Sequence, residues 1–132
     1  MMNISNFLAK ALLNEVFRAT EYTKPDSVYV ALYTSNPTAA DTGQEVNGGA
    51  YSRQAVTFTA PVAENGKQTI KNSADIQFAV ATADWGTVTH VGIRDAATGG
   101  NLLYFGALDS PRSILTNDRF KILTSSAVLS LN

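Results

Sequence analysis

The 132-residue sequence has no cysteine and little charge. Without thiols it can form neither a disulfide framework nor a thiolate metal site, and its redox compartment stays open. Charged residues make up 16% of the chain, well below the about 25% of an average globular protein. Ten Lys and Arg stand against eleven Asp and Glu, for a formal net charge of -1. A surface this close to neutral tends to associate. The basic residues are scattered, so the clustered positive footprint of a nucleic-acid binder is absent. No apolar run approaches the about 20 residues of a membrane span, and no basic segment followed by an apolar block opens the chain. Neither a nucleic-acid nor a membrane partner is expected, nor a signal peptide.

The usual signatures of chemistry are also missing. His90 is the only histidine, and zinc would need further His or Cys ligands. In "TVTHVGI" alternation groups His90 with Val88, which reads as a half-buried structural histidine. No G-x-S-x-G occurs. The glycines at 43, 48 and 49, and the pair Gly99-Gly100, lack the Lys-Ser/Thr of a P-loop and the G-x-G-x-x-G before a helix. A calcium loop would want a string of Asp and Asn, whereas "AADTGQEVNGG" offers Asp41 and Glu45 alone. Asp75, Asp84, Asp95, Asp109 and Asp118 fall mostly at predicted strand ends and turns, where Asp caps the backbone. Trp85 reads as core or hinge packing in preference to a sugar-stacking platform. No catalytic residue, cofactor or metal is expected.

What is present is periodicity. Residues 4 to about 20, "ISNFLAKALLNEVFRAT", read as one amphipathic helix in which Ile4, Leu8, Leu12 and Val16 recur every four residues. With Ala9, Leu13 and Phe17 the apolar arc spreads over roughly 220° of the wheel, about twice what one packing surface requires. Phe7 falls in the remaining polar arc. The period then switches to two. "SVYVALYT" is apolar on both faces, as is "NLLYFGAL", and two such strands fit the middle of a covered sheet. "YSRQAVTF" reads as half-buried, with Val56 and Phe58 inward and Arg53 and Thr57 outward. Asn65-Gly66 marks a type I′ hairpin. "ADIQFAV", "TVTHVGIRD", "RFKIL" and "SAVLSL" supply further strands. The expected fold is mainly β: one domain over 1–132, an antiparallel β-sandwich of about seven to eight strands with one N-terminal amphipathic α-helix. The economical packing lays that helix on the outer face of one sheet, giving three layers.

A helix this apolar cannot hide on one sheet, so part of it is expected to meet another chain. The loop from about 35 to 50 is long for a connection and is expected to make contacts as well. The candidates for subunit contact are Phe7, Leu13 and Phe17 on the helix and Asp41, Glu45 and Asn47 in the loop.

The blocks "NFLAKALLNEVFR", "VYVALYTSNPTAADTGQEVNGGAYSRQAVTF" and "WGTVTHVGIRDAATGGNLLYFGAL", with the alternating C-terminal strand, span nearly the whole chain. Over them the sequence resembles a group of small tailed-bacteriophage virion proteins often labelled tail-fibre proteins. The resemblance implies a non-enzymatic virion part assembled in the bacterial host cytoplasm among other virion proteins, and the surplus apolar surface adds the expectation of a homo-oligomer. Collagen-like triplets, coiled-coil heptads and β-helix repeats are absent. The expectation is therefore a capsid decoration, or cement, protein whose partner is the major capsid protein. The alternative is a tail, baseplate or fibre-associated protein involved in host attachment, with tail proteins as partners and loop aromatics such as Tyr51 or Trp85 touching a glycan.

Overall fold

The computed structural model describes residues 2–131. In chain order the elements are β1 (Asn3–Ile4), α1 (Asn6–Phe17), β2 (Val28–Tyr33), β3 (Gln54–Val56), β4 (Val62–Glu64), β5 (Lys67–Lys71), β6 (Ile76–Gln77), β7 (Gly86–Arg94), β8 (Leu102–Ile114), β9 (Lys121–Ile122) and β10 (Val128–Leu131). Among the described residues these ten strands form three antiparallel sheets, in the orders β1-β8-β7-β2-β3, β10-β5-β4 and β6-β9. The mainly β, antiparallel character and the single N-terminal helix agree with the sequence pattern. The strand count is higher because β1 is a two-residue piece that adds to the edge at β8 without a period of its own, and because the Asn65-Gly66 hairpin supplies two short strands, β4 and β5.

The helix is shorter than its apolar pattern. Asn3 and Ile4 pair with Phe105 and Tyr104 of β8, so Ile4 belongs to a strand. Ser5 then caps α1: its hydroxyl oxygen accepts from the Leu8 amide and donates to the Leu102 carbonyl, satisfying a helix-end donor and tying the helix start to β8. At the far end Ala19 turns to φ 53°, and the amides of Arg18 and Thr20 both donate to the Asn14 carbonyl. That left-handed residue ends the helix.

The main core lies between the five-stranded sheet and the two smaller ones. Val30, Leu32, Val88, Val91, Ile93 and Tyr104 face Ile76, Phe78, Phe120 and Leu129 across it. Phe78 lies 5.8 Å from Phe120, 6.1 Å from Tyr51 and 6.4 Å from Trp85, centroid to centroid. Such pairs contribute about 1 kcal/mol each beyond their buried area. Asn65 and Gly66 both take positive φ, 52° and 77°, as the hairpin joining β4 to β5 requires.

One side of the sandwich is sewn shut. The Thr59 amide donates to the Lys71 carbonyl and the Ser73 amide to the Thr57 carbonyl, carrying the chain beyond β3 onto the chain beyond β5. Asn72 stands at that corner, fully buried. Its Nδ2 donates to the carbonyls of Ala74 and Leu123, both at 2.9 Å, and its Oδ1 accepts from the Ala127 amide at 2.9 Å. Among the described residues no buried side-chain nitrogen or oxygen lacks a partner.

The helix does not form a third layer. Its main strand contact is β8, Leu8 packs against the core from a half-buried position, and none of its residues is buried. The outer face of the large sheet carries Ala31, Tyr33, Leu102 and Phe105, and the 34–50 loop covers it. With the sheet face already taken, Leu13, Val16 and Phe17 remain 60%, 66% and 77% exposed.

Asn72→Ala strands two buried carbonyls and one amide, and is expected to lower the unfolding free energy by about 2–4 kcal/mol, read as a fall in the urea midpoint with an unchanged slope.

Candidate functional site

The 34–50 segment is bound to its own sheet. The Thr34 amide donates to the Gln44 carbonyl and the Val46 amide to the Leu32 carbonyl, both at 2.9 Å, so residues 44–46 run alongside the end of β2 beyond the reach of β3. Further back, the Asn6 amide donates to the Ala39 carbonyl, and Pro37 is buried. Gly43 is required here, because a Cβ would come within 2.6 Å of the Pro37 Cα.

Two arginines fasten this loop. Arg94 ends β7 with a side chain 9% exposed. Its Nη1 and Nη2 donate to the two Asp41 carboxylate oxygens at 2.8 and 2.9 Å, and Nη1 also donates to the Tyr33 hydroxyl at 2.9 Å. Arg53 precedes β3 and is 8% exposed. Its Nε and Nη2 donate to Glu45 Oε2 and Oε1, each at 2.8 Å. The same guanidiniums grip the loop between β7 and β8. Arg53 Nη1 donates to the carbonyls of Ala96 and Gly99 at 2.8 Å, and Arg94 donates to those of Gly99 and Gly100 at 3.4 and 3.0 Å. Gly99 and Gly100 present these carbonyls from positive φ, 62° and 69°. A carboxylate matches a planar guanidinium fork bidentately.

The electrostatics follow from the geometry. Burial opposes the charge on Glu45, but the hydrogen bonds from Arg53 and Tyr51, with both guanidiniums nearby, outweigh it and hold the carboxyl below its ordinary value. Burial likewise opposes the charge on Arg94, and the bonds to Asp41 and Tyr33 overcome it and raise that group further. Tyr51, desolvated and donating to Glu45 at 2.6 Å, is pushed far up. Its hydroxyl also accepts from the Leu32 amide at 3.0 Å.

The chemistry-bearing residues serve the fold. Trp85 is 5% exposed, donates from Nε1 to the Gly49 carbonyl at 2.8 Å and meets Tyr51 edge-on at 5.4 Å. Both rings are core elements, which corrects the expectation that they reach a glycan from a loop. Gly49 allows this closeness, since a Cβ there would sit 2.8 Å from the indole nitrogen. Asp75, Asp84, Asp95 and Asp118 each accept a backbone amide, from Thr124, Thr116, Asn101 and Leu115. Arg53 is sequestered, against its outward placement by alternation. His90 is separated from Val88 by a register shift and sits opposite Tyr33, on the other face from Val88. Among the described residues no group of three His, Asp or Glu side chains is placed to hold a metal ion, and no helix is long and apolar enough to cross a membrane.

The six contact candidates divide. Leu13 and Phe17, with Val16, form one exposed stripe of α1 at spacings of three and four. Phe7 is partly exposed and packs edge-on against Tyr22 at 6.1 Å. Asp41 and Glu45 are held by arginines of their own chain, and Asn47 is exposed near the loop's end. The sequence did not single out Arg53 and Arg94, although two isolated arginines in a charge-poor chain with two acidic residues in a glycine-rich loop are the available signal.

A search of the curated proteins found no match. The profile of one protein family, described as Podophage GP4 fiber I protein gp80, matches residues 3–130.

Arg53→Ala leaves Glu45 and the carbonyls of Ala96 and Gly99 without their cation, and is expected to cost about 3 kcal/mol of unfolding free energy. The Glu45 charge contributes fully above the unfolded carboxyl value of about 4.3, and its contribution is lost as pH falls through the lower folded value. Glu45→Gln is therefore expected to be less stable than the native chain at pH 7 and to show a smaller further loss on acidification below about pH 4.3, in chemical denaturation at both pH values.

Proposed function

The chain belongs to the family of the podophage GP4 fiber I protein gp80, and from that premise we propose that it is a non-enzymatic structural part of the fibre apparatus, held in the virion by protein-protein contacts. The observation that carries this reading is the apolar stripe of α1. Leu13, Val16 and Phe17 lie on one helix face, more than half exposed, where a soluble monomer seldom places three adjacent large apolar side chains. Full burial of each contributes about 1.5–3 kcal/mol, enough for three residues to anchor a contact. The molecule's accessible surface of 7528 Å² also exceeds the roughly 6,700 Å² expected for a chain of this mass.

In this reading Leu13 and Phe17 make the contact with a neighbouring subunit, and Phe7 braces the helix against Tyr22. Asp41 and Glu45 act indirectly, by fixing the loop that presents Asn47. The family description supports the fibre reading over capsid decoration. Residues that could have served catalysis are instead bonded as caps, clamps and core, which supports a structural role.

Leu13→Ser and Phe17→Ser are expected to leave the isolated chain's stability within about 0.5 kcal/mol. Their incorporation into particles, measured by quantitative gel densitometry of purified virions, is expected to fall about tenfold, as loss of about 1.4 kcal/mol of contact energy implies. Native virions are expected to carry the chain in fibre-like numbers, a few tens of copies or fewer, whereas hundreds per particle would place it on the capsid and defeat the fibre reading.

A further inference from the structure

Two asparagines precede a glycine in this chain, Asn47 and Asn65, and the fold holds them differently. An Asn-Gly pair carries its own reaction. The glycine backbone nitrogen, with no neighbouring side chain in the way, attacks the carboxamide carbon of the asparagine. The attack needs that nitrogen on the same side of the asparagine Cα–C bond as the Cβ.

Asn65 is locked against it. It stands in the left-handed region at φ 52°, at the turn whose flanking pairs are Ala63 with Gln68 and Glu64 with Lys67. In that region ψ is about +47°, which carries the following nitrogen to nearly the opposite side from the Cβ. The hairpin end must open before Asn65 can react.

Asn47 has no such lock. It and Gly48 are exposed, and its φ is negative. Among the described residues no backbone hydrogen bond involves the Asn47 carbonyl or the Gly48 amide. Where Gly48 would carry a Cβ, nothing lies within 4 Å. The chain is nevertheless anchored on both sides of this untied peptide group. The Val46 amide donates to the Leu32 carbonyl, and the Gly49 carbonyl accepts from the Thr82 amide and from Trp85 Nε1.

We propose that Asn47 is a site of spontaneous covalent modification, at which the chain converts its own carboxamide to a carboxylate through a cyclic imide with Gly48. The Gly48 nitrogen bonds to Asn47 Cγ and the Cγ–Nδ2 bond breaks. Ammonia leaves with the proton that the Gly48 nitrogen gives up. Water then opens the ring, its hydroxyl going to one of the two imide carbons and its hydrogen to the nitrogen. Addition at Cγ leaves aspartate, and addition at the backbone carbon leaves isoaspartate, with the chain rerouted through the side chain. Either product adds one negative charge to a chain of net charge -1, two positions from Glu45. Because Arg53 holds Glu45 and Trp85 holds Gly49, the reaction changes what the loop presents without releasing the loop.

The inference rests on local geometry and not on the fibre reading. Both sites are followed in the same full-length chain by peptide mass spectrometry, with an isoaspartyl methyltransferase to score the rerouted product. Unfolded in urea, the two Asn-Gly pairs are expected to react at equal rates. In the folded chain Asn47 is expected to keep its rate and Asn65 to slow about tenfold, the factor for about 1.4 kcal/mol of hairpin opening. Both rates are expected to rise with pH, because the attacking nitrogen must lose its proton. Asn47→Gln, whose longer side chain would have to close a larger ring, is expected to stop the reaction at this position while keeping the native thermal midpoint. A folded chain in which Asn47 stays unmodified, or reacts no faster than Asn65, overturns the proposal.

Discussion

Gly99 offers one backbone carbonyl to two arginines, and the outer face of the large sheet is organised around that point. A guanidinium cannot shed its proton, so burying one demands acceptors on every side. Arg53 finds Glu45 and two carbonyls, and Arg94 finds Asp41, the Tyr33 hydroxyl and two carbonyls. Because both cations need both loops, the 34–50 segment and the β7–β8 connection are fixed together against the sheet. Removing either arginine leaves a carboxylate and several carbonyls to find new partners.

This clamp decides where the helix can sit. Tyr33 and Leu102 would be exposed if nothing lay over the outer face, and Gly92, without a side chain, lets their atoms come within 2.8 Å of where a Cβ would stand. The loop fills that role, so α1 is left attached by its Ser5 cap, by Leu8 and by the short β1, with its second apolar stripe turned outward. Here one set of apolar residues closes the sandwich and another, on α1, stays available.

Much of this was legible in the sequence. Alternation marked β2, β7 and β8, and Asn65-Gly66 marked the hairpin, because period and turn chemistry are local. The excess apolar arc of α1 was equally plain, since wheel geometry needs no partner. Less was visible where a long-range bond decides the outcome. Arg53 reads as outward by alternation, and only the meeting of residues 45, 53 and 96–99 in space makes it a sequestered cation. The three-layer arrangement failed for the same reason: nothing local says that a polar, glycine-rich loop will cover a sheet face in place of an apolar helix. Alternation places His90 on the face of Val88, and the register shift between them reverses that placement. Ser5 could have been recognised as an N-cap, which would have moved the helix start from 4 to 6.

The central claim is that one shared arginine clamp holds both loops. Residue-resolved hydrogen exchange on Arg94→Met tests it directly. The account predicts that amides in 34–46 and 95–101 lose protection together, while those of β5, β10 and α1 keep theirs. Loops that stay protected, or one that loosens while the other does not, would contradict it.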